Sequence, residues 1–468
     1  MDRPVKSWRS DSSEQHGVRA EWARVPLTRA QRAVLAAVIL TVTAGFVAQP
    51  IATGEILIGA AIILASGHMI FRTILWLAGL WPMPQALPKR SDDDLPIYSL
   101  IVPLYREANM AAGLVTALGK LDYPPGKLDI LVALEVDDAE TAQAFQAISL
   151  PAPWRIVTVP DGTPRTKPRA CNHALDVARG AFVAIYDAED RPDPGQLRDA
   201  VAAFDAGGEN LACIQARLFP FNARENVLTR LFALDFCQWF DAMLTGLQRL
   251  GFPVPLGGTS NHFRTEILRR EGAWDPWNVT EDADLGIRLG RLGYKVGTFA
   301  STTWEEAPVS FSAWLPQRTR WSRGYLQTFF VHTRSPRRIG LPGLGFRGWI
   351  FLVFFVGASS VFALVNPLFW ALATWHVVTG DAPLDAVFGP VAGPLAAGLM
   401  FGGNLLCVLM TVLGPIRRGV WRLMPWGLLA PVYWAMISMA AWRAVVLFAR
   451  DPFRWEKTPH GLTRRSLP

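Results

Sequence analysis

Cysteine is scarce. The 468 residues hold four, Cys171, Cys213, Cys237 and Cys407, scattered without metal-binding spacing. They read as reduced packing thiols, not as a zinc site or a disulfide frame. From Leu95 to Arg334 there is neither a Gly-x-Gly-x-x-Gly turn nor a Walker lysine motif. That argues against a nucleotide held by a glycine loop at a helix N-terminus. Carboxylates with a divalent ion are the other route to a diphosphate. No clear small-x-small cleavage site follows the first apolar run, and a second run comes soon after. A cleaved signal peptide is therefore not expected. The net charge is +7, yet the basic residues form no single block, which argues against nucleic acid as a partner.

Apolar residues are abundant instead: 51% of the chain is hydrophobic, with 19 Trp. Runs cover Arg32 to Gln49, Ile56 to Leu80, Trp349 to Val378, Leu395 to Leu413 and Trp426 to Phe448. Several reach the roughly 20 residues that span hydrocarbon. Inside them ionisable residues are few beyond Glu55, Arg72 and Arg443, unlike a transporter. Basic residues flank them: Arg19, Arg24, Arg29 and Arg32 before the first, Arg334, Arg337 and Arg338 before the third, and Arg450, Arg454, Lys457, Arg464 and Arg465 after the last. This positive-inside pattern places both termini and the polar middle in the cytoplasm, in a multi-pass protein of the cell inner membrane.

The expected organisation is a cytosolic tail (1–30), two transmembrane helices (31–81), a soluble domain (90–335), transmembrane or re-entrant helices (345–449) and a second tail (450–468). Four or six crossings fit this charge distribution. One solution splits the third run into a hairpin at Asn366-Pro367, because Pro breaks helices. The other keeps the last run re-entrant or interfacial, bent at Pro431, and leaves Arg417, Arg418 and Arg422 inside.

The polar middle alternates strands and helices. Pro96 to Pro103, Asp129 to Leu134, Trp154 to Val159 and Ala181 to Tyr186 read as strands, with a helix from Met110 to Leu121. This predicts a mostly parallel, Rossmann-like α/β sheet with helices on both faces. Ligands bind at the carboxyl ends of such strands. Acidic clusters sit at two of them: Glu135-Val136-Asp137-Asp138 and Asp187-Ala188-Glu189-Asp190. Their hard oxygens suit Mg²⁺ or Mn²⁺.

Four further pieces follow in order: Lys167 ahead of a helix, Gly257-Gly258-Thr259-Ser260-Asn261, Thr280-Glu281-Asp282, and Gln317-Arg318-Thr319-Arg320-Trp321. Alone, Asp282 reads as a carboxylate favoured by a helix dipole, and Thr280 as its cap. The pentapeptide alone reads as a basic, aromatic anchor at the bilayer. Together the set resembles the membrane-embedded processive glycosyltransferases of family 2, such as cellulose, hyaluronan and β-glucan synthases. The resemblance covers about Ile97 to Trp321.

That resemblance implies a GT-A-type domain inserted between transmembrane helices, an inverting mechanism and a nucleotide-sugar donor. It implies that Asp137 and Asp138 contact the uracil end of a UDP-sugar and that Lys167 lies near its phosphates. Asp187 and Glu189 would hold the metal, with Glu where the family has a second Asp. Asp282 would be the general base, beside Glu281. Gln317, Arg318 and Arg320 would bind the donor, and Trp321 and Thr280 the acceptor. Arg suits a departing diphosphate because its planar fork bonds two oxygens. Near the C-terminus, Arg454 to Gly461 resembles the gating loop of glucan-making members, with Lys457 and Thr458 over the donor.

The partners expected are a UDP-sugar, a glycan acceptor and the lipid bilayer. No appended nucleotide-binding barrel is expected after this segment, so regulation is left to envelope or regulatory partner proteins. A single transfer to a lipid, as in glucosylceramide-type synthases, is the alternative reaction. Two aromatic segments, Val227 to Leu250 and Phe311 to Phe330, read as interfacial helices or as core.

Overall fold

The computed structural model describes residues 22–81, 87–148, 150, 152–334, 345–381, 383–456 and 461–463. Two apolar helices come first, α1 (Arg29–Ala48) and α2 (Pro50–Gly79). The polar middle then lays down β1 (Tyr98–Leu104), α3 (Ala111–Leu118), β2 (Leu128–Glu135), α4 (Ala139–Ala147), β3 (Trp154–Val159), α5 (Lys167–Val177) and β4 (Phe182–Ile185). It continues with β5 (Arg191–Pro192), α6 (Gln196–Gly207), β6 (Leu211–Pro220), α7 (Val227–Phe236), α8 (Leu244–Arg249), β7 (Asn261–Arg264), α9 (Thr265–Arg270), α10 (Glu281–Arg291), β8 (Lys295–Glu305) and α11 (Phe311–His332). Three long helices close the chain: α12 (Gly345–Thr379), α13 (Pro383–Leu413) and α14 (Ala430–Arg450).

The strands form one eight-stranded sheet in the order β3-β2-β1-β4-β7-β6-β8-β5. β3, β2, β1 and β4 run parallel, as their continuous apolar stretches predict. β1 and β2 are buried along their whole length. β7 is antiparallel to both β4 and β6, so the sheet changes character at its centre. That change sets the ends of β4 and β8 beside the glycine turn before β7. Helices cover both faces, as expected of this α/β class.

Among the described residues, five helices are long and apolar enough to cross a membrane. They do not float free of the domain. α2 packs on α8 and on the π-helical turn Cys237–Met243 through backbone contact. A Cβ on Gly79 would lie 2.1 Å from the Ala242 carbonyl, and one on Gly246 would lie 2.0 Å from that of Leu75. Only glycine permits that approach. Arg417 donates to the carbonyls of Gly79 and Asp241. Arg418 grips the Asp241 carboxylate with two bonds, 2.9 and 2.6 Å. The start of α1 is tied to the end of α11, where Gln31 Nε2 donates to the Phe330 carbonyl at 2.8 Å.

α14 differs from the others. Near its start, Tyr433 Oη accepts from Trp314 Nε1 at 3.1 Å. Near its end, Phe448 stacks on Phe330 at 5.6 Å. Both partners lie on α11, so α14 runs alongside that helix. The hairpin expected at Asn366-Pro367 does not form, because α12 passes through both residues without a break. A single lost hydrogen bond at Pro is tolerable in an apolar setting, where unwinding would free many more polar groups.

Asp241 is 1% exposed and also lies 3.7 Å from Arg217. Asp241→Ala is expected to cost about 3–5 kcal/mol, because it strands buried guanidinium charge. A clear fall in the melting temperature of the purified protein would check it, and an unchanged melt would refute it.

Candidate active site

A single cavity of about 730 Å³ begins at the carboxyl ends of the strands and continues between α2, α12, α13 and α14. Its strand end is crowded with acids. β4 delivers Asp187 and Glu189, β8 delivers Glu305 and Glu306, and the first turn of α10 delivers Glu281 and Asp282. Asp190 shapes the turn after β4. Its carboxylate accepts from Asp187 N at 2.7 Å and from the Thr259 hydroxyl. Its other oxygen, Oδ1, is buried without a partner.

Cations answer this crowding. Lys167, the first residue of α5, pairs with Asp187 at 2.5 Å and donates to the Gly258 carbonyl at 2.5 Å. Burial opposes its charge, but Asp187, Asp282 and Glu281 outweigh burial and hold its pKa above the usual lysine range. Arg320 is buried among the same acids. Burial lowers its pKa, while Glu281, Asp187 and Asp282 pull it back up. Among the described residues Arg320 makes no ion pair, and its guanidinium lies 4.8 Å from the Trp455 ring.

Asp282 is 4% exposed. Burial, then the Glu281 charge, push its pKa well above the usual carboxylate range, against Lys167 and a hydrogen bond from Trp274. That bond runs from Trp274 Nε1 to Oδ1 at 2.9 Å, and Asn261 Nδ2 adds one to the same oxygen at 3.3 Å. Oδ2 accepts none from the described residues. Trp274 is itself fixed: Asn172 of α5 bonds its backbone N and O at 3.1 and 2.8 Å, and Phe263 packs edge-on at 5.5 Å. Sequence reasoning missed Trp274 and gave Asn261 no task. It also missed Glu305 and Glu306, although they follow a strand-like run in the same strand-then-acid pattern as Asp187.

The pentapeptide divides its work. Gln317 is 8% exposed and its Oε1 has no partner. Arg318 turns from the acids to pair with Asp235 and to donate to Tyr433 Oη at 2.8 Å. It also lies over the Trp321 ring at 4.5 Å. Trp321 packs on Phe232 and Phe236 at 6.1 and 6.4 Å. α11 reaches α10 closely because residue 324 is glycine: a Cβ there would meet Thr280 Oγ1 at 2.3 Å. Thr280 does not cap α10 with its side chain.

The other acidic pair lies outside the cavity lining. Asp137 forms an ion pair with Arg165 at 2.6 Å. Asp138 turns inward, where Arg106 N (2.5 Å) and Thr141 N (3.2 Å) occupy its carboxylate, so it supports the turn and caps α4. Each of its oxygens already accepts one backbone N–H, so part of its acceptor capacity is committed to the fold. Lys457 and Thr458 lie outside the described residues. The gating-like segment does reach the domain at Gly461 and Thr463, whose backbone N–H groups donate to Glu306.

The carboxylate oxygens of Asp187 and Glu189 are hard donors of the kind that divalent cations take. Burial, then Asp187 and Glu107, raise the Glu189 pKa, and burial and three neighbouring acids raise that of Glu305. No group of three or more ligating side chains is arranged for a metal among the described residues.

A family model described as glycosyl transferase family group 2 matches residues 182–449. The chain belongs to that family. The probable glycosyltransferase YdaM of Bacillus subtilis (strain 168) is 29% identical over 293 residues, 60% of this chain and 68% of YdaM. A β-monoglucosyldiacylglycerol synthase of Trichormus variabilis is 26% identical over 266 residues. A probable glucomannan 4-β-mannosyltransferase of Arabidopsis thaliana is 27% identical over 261 residues. The matches span 54% and 46% of those two proteins, about half of each. Among solved structures, the mannosyltransferase PcManGT of Pyrobaculum calidifontis, in complex with GDP-Man and Mn²⁺, matches with a TM-score of 0.56 at 20% identity. That match covers 85% of this chain and 98% of PcManGT, and it shares the GT-A-like fold.

Trp274→Phe keeps the ring and removes one donor to Asp282. Losing it disfavours the carboxylate, so the acid limb of sugar transfer is expected to move up by about 1–2 pH units. The rate should recover in more alkaline buffer. A uniform loss at every pH would refute the link.

Proposed function

We propose that this chain is an inverting membrane glycosyltransferase that adds glucose from UDP-glucose to a growing β-glycan at the cytoplasmic face. The glycan leaves through the protein's own helices. One observation carries the reading: the cavity that holds Asp187, Lys167, Asp282 and Arg320 also reaches Asn366 on α12, Cys407 on α13 and Ile437 on α14. A charged, water-soluble donor fits the polar end. An acceptor that departs along or across a bilayer fits the other.

Asp282 is the base. Trp274 and Asn261 hold Oδ1, which leaves Oδ2 to take the proton of the acceptor hydroxyl. The hydroxyl oxygen bonds to C1 as the bond from C1 to the diphosphate oxygen breaks. Configuration inverts, and UDP leaves with the electron pair. The raised pKa of Asp282 makes its carboxylate a stronger base than one in water. Arg320 and Lys167 stabilise the departing charge. Arg318, paired with Asp235, holds Trp321 against Phe232, where the indole can stack on the acceptor sugar. Thr280 and Gln317 line the same space, and Asp137, outside it and paired with Arg165, is assigned to the uracil end of the donor. Asp187 and Glu189 would hold Mg²⁺ or Mn²⁺, which neutralises diphosphate charge when bound. The Mn²⁺ and GDP-Man of PcManGT support that choice.

A lipid acceptor is the second reading. The T. variabilis relative, by its name, glucosylates a lipid, and here the cavity walls are apolar helices.

The contacts of the helix ends support four crossings, by α1, α2, α12 and α13, with α14 lying along α11 at the surface. With native cysteines replaced, Gln49→Cys and Val378→Cys should react with an impermeant maleimide on intact cells. Arg422→Cys should react only after permeabilisation. Equal labelling of Arg422→Cys on intact cells would overturn this topology.

Purified protein with radiolabelled UDP-glucose should yield a polymer removed by a β-glucanase. A labelled glycolipid would select the second reading, and silence with every UDP-sugar would refute both. Asp282→Asn should cut transfer by about 10²–10⁴-fold while UDP affinity holds. Retained turnover would remove Asp282 as base.

A further inference from the structure

The part of the cavity between the helices contains polar groups that have no partner among the described residues. Asn366, in the middle of α12, is 1% exposed, and both its Oδ1 and Nδ2 are buried without a partner. Gln238, in the turn between α7 and α8, is 5% exposed. Its Nε2 donates to the Met410 carbonyl, and its Oε1 has no partner. Arg72 of α2 has a buried, unpartnered Nε. All three residues line this one cavity. Each orphaned group carries the desolvation penalty of a buried polar atom left unpaired. Polar side chains kept at such positions in apolar helices mark a ligand path.

We propose that Asn366, Gln238 and Arg72 form a subsite for a neutral, hydroxyl-bearing sugar unit of the acceptor glycan. The inference rests on the reading of the cavity as the acceptor path and adds what that path binds. The decisive feature is the balance of the orphaned groups. Asn366 Nδ2 and Arg72 Nε offer donors, while Asn366 Oδ1 and Gln238 Oε1 offer acceptors. A phosphate or carboxylate headgroup only accepts, and would leave both oxygens unpaired. A sugar hydroxyl donates and accepts, and so satisfies both kinds. The walls agree. Trp239, Tyr325, Phe362 and Trp434 line the cavity with aromatic faces of the kind that stack on sugar rings.

The test uses the full-length protein in nanodiscs with radiolabelled UDP-glucose and gel sizing of the product. Asn366→Leu has nearly the same size and no polar atoms. Product length at fixed time is expected to fall by about threefold to tenfold, the worth of one or two neutral hydrogen bonds. UDP affinity by calorimetry should hold, which reports an intact donor end. Asn366→Gln should restore part of the length. If Asn366→Leu does not fold, Gln238→Met takes its place with the same expectation. Unchanged product length in a folded variant overturns the subsite and leaves the polymerase reading standing. Wild-type protein that makes only glycolipid overturns both.

Discussion

Carboxylates are packed at the ends of β4, β8 and α10 more tightly than water-poor surroundings allow, and the Lys167–Asp187 pair is what makes that packing tenable. Burial and like charge raise the pKa values of Glu189, Glu281, Asp282 and Glu305 together. Lys167 and Arg320 are the cations that oppose this rise from within the cluster. Lys167 also bonds the Gly258 carbonyl, so one ammonium ties α5, the strand end and the glycine turn into a unit. A site charged in this way fits the proposed donor, whose phosphates and divalent ion would arrive together. Each partner then relieves the excess of the other.

The same constraint explains how the membrane helices are attached. A loosely tethered domain would let water and lipid vary the dielectric around those acids. Instead, the Arg418–Asp241 bond, the glycine contacts at Gly79 and Gly246, and the run of α14 along α11 hold the helices directly against the site. Arg318 belongs to this joint rather than to the acid cluster. Its bonds to Asp235 and Tyr433 connect α11 to α7 and α14 and set the Trp321 ring between them.

Much of this was legible in the sequence where a local pattern carries the information. Continuous apolar stretches marked β1 to β4, and acids just past β2 and β4 marked strand ends. β6 and β8 were harder, because their burial is set by partners far away in the chain. β8 is only partly buried and mixes Gly, Ser and Thr with its apolar residues, so its run is a weaker strand signal than those of β1 and β2. Asp137 and Asp138 looked equivalent as neighbours, yet the strand-to-helix turn sends one outward to Arg165 and the other inward to cap α4. Arg318 and Arg320 also looked equivalent. Two residues on a helix turn the side chain by about 200°, so one faces the helices and the other the acids. Trp274 carried no signal, because its importance is a single bond made in three dimensions.

If Asp282 is the base, as proposed, burying it among other acids has a chemical consequence. An acceptor hydroxyl is a poor nucleophile, and its proton must go to a group basic enough to take it. A carboxylate in water is too weak a base. Burial, then the Glu281 charge, strengthen it by raising its pKa. Lys167 and the two donors on Oδ1 hold that rise in check. The packing that buries Asp282 is therefore also what tunes the proposed base. Exposing Asp282 to solvent would then weaken it as a base even with every residue of the acid cluster in place.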